Sequence, residues 1–261
     1  MKITISKIPV FKKSSPKIVM LYDKMRFELE KIDAEKHAEF YWYAREFPRY
    51  FRYHFDNIEY RLSKIHKLYS LHLDDFRNKY DEKKDENLYQ VGISNPHTFQ
   101  IYWEFEALLN AISTALDILA RISGLEFIEQ TPVSLNNLAK KKDLFGVVEI
   151  LRKAKLEWID EMKNLRDCFV HYSPVDSRPQ LTFYRTKTMW KVWGKLPTNP
   201  NIRVADAFIY SKHLDLLKYS INLYKKLNIL DSDISIYIES LYEEGHFPKR
   251  VENLFFIGRR M

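Results

Sequence analysis

Apolar residues recur at three- and four-residue intervals along most of the chain, the period of helices that bury one face. From Ile18 to Tyr80 this pattern has one interruption, Pro48, whose missing N–H is expected to kink the helix or split it in two. A second helix is expected from His97 or Thr98 to Ser123, with Gly124 placed to end it. Phe105, Leu109, Ile112, Leu116 and Leu119 form its apolar stripe; Glu106, Asn110, Ser113, Asp117 and Arg121 follow the same spacing on another face. A short helix from Leu135, a helical region from Leu144 to Tyr172 broken near Lys155, and a helix from Val204 to Leu227 complete the pattern.

The period changes in PQLTFYRTKTMWKVWGKLPTNPN, 179–201, where threonines and aromatics alternate around RTKT, as in a β-hairpin. DEKKDEN (81–87), GISNP (92–96) and residues around 131–133 read as loops, 1–16 as an N-terminal arm or strand, and 229–261 as a C-terminal extension with a short helix and a tail. The fold class is therefore mainly α: a single domain, 1–261, whose bundle of long helices spans 18–228 and carries a small β-hairpin insertion near 180–193.

With 261 residues, 46% of them hydrophobic, the chain can fill a core. A formal charge of +7, spread along the sequence, favours an anionic partner, nucleic acid first. Cys168 is the only cysteine, so no internal disulfide or cysteine cage can form. The opening MKITISKIPVFKKSSPK lacks the apolar core of a signal peptide, and no apolar run reaches the roughly 20 residues of a membrane span. A soluble, cytoplasmic protein without a membrane partner is expected. No HExxH, GxxxxGK[ST] or GxGxxG occurs, so neither a metal nor a cofactor is assigned.

NLRDCFVHYSP, 164–174, concentrates chemistry at one helix end. Trp158, Met162, Leu165, Phe169 and Tyr172 form an apolar side. Asp160, Lys163, Asn164, Asp167 and His171 lie on the other, with Arg166 at its edge. In an α-helix Arg166 and His171 are about 140° apart, with Asp167 between them. Cutting RNA without a metal needs a base for the 2′-hydroxyl, an acid for the leaving 5′-oxygen and positive charge on the phosphate. A histidine with a pKa near ~6.5 can be either acid or base, and an arginine holds phosphate oxygens through paired hydrogen bonds. Asp167, one turn before His171, is placed to orient the ring. One helix supplies one such histidine, so an acid and a base of this kind require a second copy of the chain.

RDCFVH, 166–171, resembles the motif of the HEPN superfamily: an arginine, a polar residue, variable positions and a histidine near a helix end. YWEFEALLNAISTALDILAR, 102–121, is similar to the central helix that accompanies that motif. The resemblance maps Arg166, Asp167 and His171 onto the motif as catalytic residues, within an HEPN-like bundle. It implies a metal-independent endoribonuclease that leaves a 2′,3′-cyclic phosphate, a toxin or defence effector with RNA as substrate. It also implies a composite site across a homodimer and an antitoxin or regulatory protein as partner. Other members bind RNA, nucleotides or partners without cutting. Asp167, where asparagine is more common in the family, keeps that alternative open.

The bare spacing recurs at Arg49–His54, Arg61–His66 and Arg166–His171, but only the last has a polar residue after the arginine, an apolar back and a stop beyond the histidine. Lys163, Asn164 and Tyr172 are assigned to substrate binding beside it, with Glu106 and Asn110 on the central helix. EFYWYAREFPRYFRYHF, 39–55, adds Arg49 and Arg52 as phosphate-binding candidates, although its Phe40, Tyr43, Phe47, Phe51 and Phe55 have the spacing of a core stripe. Cys168, on the apolar side, reads as a small buried side chain rather than a nucleophile.

Overall fold

The helical periods become α1 (Lys17–Ile32), α2 (Ala38–Lys79), α3 (Pro96–Gly124), α4 (Leu135–Ala139), α5 (Val147–Ala154), α6 (Asp160–Asp167) and α7 (Leu216–Glu243) in the computed structural model. It describes residues 10–32, 38–80, 90–124, 134–140, 146–172, 181–186, 189–202 and 208–244, with backbone alone at 28–32, 38–45, 77, 123–124, 138–139, 171–172 and 211–212. The chain is mainly helical, with a small antiparallel sheet of β1 (Gln90–Ile93), β2 (Leu181–Arg185), β3 (Trp190–Pro197) and β4 (Tyr210–Asp215), in that order.

Several boundaries differ from expectation. Helix α2 passes through Pro48 without ending. Proline removes one N–H, while Phe47, Phe51 and Phe55 bury the face on either side of it and hold the turn. The first part of GISNP is strand β1, paired with β2 through Val91 and Phe183. Asn95 then starts α3: its Oδ1 accepts from Thr98 N, Thr98 Oγ1 accepts from Asn95 N, each at 3.2 Å, and Pro96 occupies the first turn. Of the helix expected from Val204 to Leu227, the first residues up to 207 lie outside what is described, Tyr210–Asp215 form strand β4, and α7 begins at Leu216, where Asp215 Oδ1 accepts from Lys218 N at 2.9 Å. Helix α7 absorbs the short C-terminal helix. The loops at 81–87 and 131–133, the side chains of Phe40 and Tyr43 in the aromatic stripe, the stop expected at Ser173 and Pro174, the first nine residues of the arm and the tail after 244 lie outside what is described.

The hairpin forms with Leu181 opposite Gly194 and Arg185 opposite Trp190, closed by Thr186 N–H donating to Met189 O at 2.8 Å. It is the middle of the sheet rather than a free insertion, because β1 and β4 pair on either side.

The chain divides into two compact units. One contains Asn57–Asn110 and Glu161–Tyr224, and so the sheet. There Phe76 of α2 stacks on Phe183 at 4.3 Å and meets Trp190 edge-on at 5.1 Å. Asp215 accepts from Gly194 N (2.8 Å) and Tyr69 Oη (3.3 Å) as well as capping α7. Arg61–Glu104, His72–Thr98 and Asp75–Asn95 contacts follow one another in opposite directions along α2 and α3, so these segments run antiparallel.

The other unit contains Ser14–Asp56, Ala111–Asp160 and the chain from Lys225. Asp231 of α7 caps α1, accepting from Lys17 N at 2.5 Å and Ile18 N at 3.1 Å. Tyr22 Oη donates to Ile122 O at 3.0 Å, and Asp117 accepts from Leu135 N at 2.9 Å at the start of α4. Gly146, with φ 74°, precedes α5; a Cβ there would overlap Tyr237.

Candidate functional site

The motif lies on an almost unbroken helical run in which the winding changes twice. Lys155–Ile159, at the expected break, is a π-helical turn between α5 and α6, and Cys168–Tyr172 is a second one after α6. Trp158, Met162, Leu165, Cys168 and Phe169 are buried along one side. In the second turn, Phe169 stacks on Tyr102 (6.2 Å) and meets Phe105 edge-on (5.3 Å), which seats the motif against α3.

A π-turn bonds i to i+5 instead of i+4, so residues five apart come toward one edge. The first turn makes that visible: Lys155 Nζ reaches both carboxylate oxygens of Asp160, at 2.5 and 2.6 Å. Arg166 and His171 are also five apart, and the last three steps between them lie within the second turn. Their backbone positions are therefore closer around the axis than the about 140° of a uniform α-helix.

Arg166 donates through Nε (2.9 Å) and Nη2 (2.6 Å) to Asp167 Oδ1. The two side chains are 29% and 43% exposed, so the pair is accessible from solvent. Asn164 is exposed and Lys163 half-buried on the same helix. The side chains of His171 and Tyr172 lie outside the described residues; their backbone closes the second π-turn.

Glu106, half-buried, follows Phe105 of the Phe169 contact, and the exposed Asn110 lies one turn further along α3. Arg49 and Arg52 belong to the other unit, exposed and paired on their own helix with Glu46 (3.7 Å) and Asp56 (2.9 Å). Burial raises the pKa of the Cys168 thiol, the opposite of what a nucleophile needs. Of the other R-x4-H spacings, Arg61 is tied to Glu104 at 2.7 Å, and burial lowers the pKa of His54.

Sequence periodicity missed a polar cluster at the start of α3. Buried His72 shares Thr98 Oγ1 through Nε2 at 3.2 Å, while its Nδ1 has no partner among the described residues. Burial, the largest influence, lowers its pKa to about 4 against the opposing pull of Asp75. Asn-Pro-x-Thr, a helix-start signature, was the available signal. Also missed were three exposed rings, Tyr60 on α2 and Phe99 and Trp103 on α3. They fall opposite the apolar stripes, where a polar residue is the ordinary expectation.

Among the described residues, no group of three or more His, Cys, Asp and Glu is placed to hold a metal ion, and no helix is long and apolar enough to cross a membrane. No family model, curated protein or solved structure matches the chain.

Proposed function

We propose that the chain is a metal-independent endoribonuclease of HEPN type, with an HEPN-like bundle as its helical frame. It acts as a homodimer in which each subunit supplies an Arg166–His171 half-site, in a cytoplasmic toxin or defence setting with an antitoxin or regulatory protein as partner. The observation that carries the reading is the π-turn at Cys168–Tyr172, whose winding draws the backbone of His171 toward that of Arg166.

His171 takes the proton of the 2′-hydroxyl, whose oxygen attacks phosphorus, and the partner's His171 protonates the leaving 5′-oxygen. Arg166 faces the non-bridging oxygens as negative charge builds on them. Asp167 holds the guanidinium until phosphate takes its place.

A second reading, an RNA-binding module without turnover, is favoured by the same pair, because Asp167 already occupies Arg166 donors. The experiment that separates them is incubation of the purified chain with RNA in excess chelator, followed by analysis of the product ends. The nuclease reading expects 2′,3′-cyclic phosphate ends; intact RNA with salt-sensitive binding supports the module instead.

A further inference from the structure

We propose that the outer faces of α2 and α3 in the sheet-containing unit bind single-stranded RNA by stacking its bases on Trp103, Phe99 and Tyr60. The choice of RNA over another single strand rests on the ribonuclease reading. The antiparallel contacts already described place the 60–67 stretch of α2 beside the 99–104 stretch of α3, joined at the Arg61–Glu104 ion pair of 2.7 Å. At helical spacing, Tyr60, Lys64 and Lys67 share the solvent side of α2, as Phe99 and Trp103 do on α3.

Trp103 is 63% exposed, Tyr60 50% and Phe99 40%, an unusual concentration of open rings. Phe99 and Trp103 have centroids 6.3 Å apart and are tilted by 45°, so they do not cover one another's faces. Arg61 and Lys64 each lie over the Tyr60 ring, 5.5 Å from its centre, and Lys64 brings a cation to the edge of the stacking surface, where the phosphate of a stacked base would run. Within 60–67 and 99–103 there is no acidic residue, and Glu104, at the seam, is neutralised by Arg61.

A protein partner is the other class of ligand that exposed rings attract, but lysine is depleted at the core of such interfaces. Rings flanked by lysines, with Glu104 paired to Arg61, on a chain of net charge +7, match a polyanion with π faces instead.

The test uses a fluorescently labelled single-stranded RNA and the full chain carrying His171→Ala, so that cutting does not interfere. Trp103→Ala added to it is expected to weaken binding roughly 5- to 100-fold, the effect of losing one stacked base, and Trp103→Phe to restore most of it. Lys64→Ala and Lys67→Ala are each expected to reduce the slope of log affinity against log salt by about 0.7. Unchanged affinity in a folded Trp103→Ala, Phe99→Ala double variant overturns the inference, as does a loss of self-association in place of RNA binding. If the ring variants lose binding while the wild-type chain never cuts RNA, the inference stands and the ribonuclease reading falls. If the wild type cuts and the ring variants bind and cut as well as it does, the reverse holds.

Discussion

Tyr69 Oη fills the space that a side chain at Gly194 would need, and both residues donate to the same carboxylate, Asp215. A helix residue, a strand glycine and the cap of α7 are thereby fixed as one contact. Burial raises the pKa of Asp215, while the N–H groups of Gly194 and Lys218 oppose that effect.

Gly194→Ala is therefore expected to destabilise the chain by about 1–3 kcal/mol, since Tyr69 must move and its hydrogen bond goes with it. Removing the hydroxyl with Tyr69→Phe takes away the first clash, so the double variant is expected to be more stable than the two single losses sum to. Urea denaturation of the four proteins measures that coupling. Strict additivity would contradict the contact.

Asp231 is expected to make the chain less stable as pH rises through the acid range. Burial lifts its pKa from 3.8 to about 6, despite the opposing N–H groups of Lys17 and Ile18 and the Lys17 charge. Between those values the folded chain keeps a proton that the unfolded chain has lost, so stability falls from pH ~4 to ~6 by an order of 2–3 kcal/mol and then levels. Asp231→Asn keeps one acceptor for the α1 cap and should lack that slope, as read from urea midpoints across the range.

His72 acts in the opposite sense. Its folded pKa of about 4 lies below the ordinary 6.5, so the unfolded chain binds the extra proton between them and stability falls as pH drops from 6.5 to 4. His72→Gln keeps a polar partner for Thr98 and removes this acid sensitivity, also of the order of 3 kcal/mol. An unchanged acid limb in the variant would show that the ring is not held neutral in the fold.

Asp167→Asn tests what the motif's ion pair does. At 29% and 43% exposure the pair adds only about 0–1 kcal/mol to stability, so the melting temperature should hardly move. With the carboxylate gone, residue 167 no longer competes with phosphate for the guanidinium, and RNA affinity is expected to rise several-fold at low salt. A fall in affinity would mean that Asp167 positions the arginine rather than competing for it.

Much of the helical frame was legible in the sequence because burial and periodicity report the same physics. The stripe from Phe105 to Leu119 is buried as expected, and the disturbance near Lys155 is a real change of winding. Strands β1 and β4 were not legible: one is four residues long beside Gly and Pro, and the other, YSKHLD, is largely polar. Their pairing depends on β2 and β3, distant in sequence for β1, rather than on their own pattern. At Pro48 the split, one of the two expected outcomes, does not occur, because Phe47, Phe51 and Phe55 are buried around it and one missing hydrogen bond does not end α2. At the site, the buried back of the motif was readable. The π-turn was not, since i+5 bonding leaves no mark in residue type. Nor was the Arg166–Asp167 pair, which joins adjacent residues rather than the i+4 neighbours that helical periodicity anticipates.

RNA cleavage by His171→Ala, compared with wild type in excess chelator and at matched melting temperature, tests the central claim most directly. The expected result is cutting by the wild type, with cyclic phosphate ends, and a loss of at least 100-fold in the variant, at the lower end of what general acid–base catalysis contributes. Equal cutting by a folded His171→Ala protein, or none by either, would contradict the assignment of RDCFVH as half of a ribonuclease site.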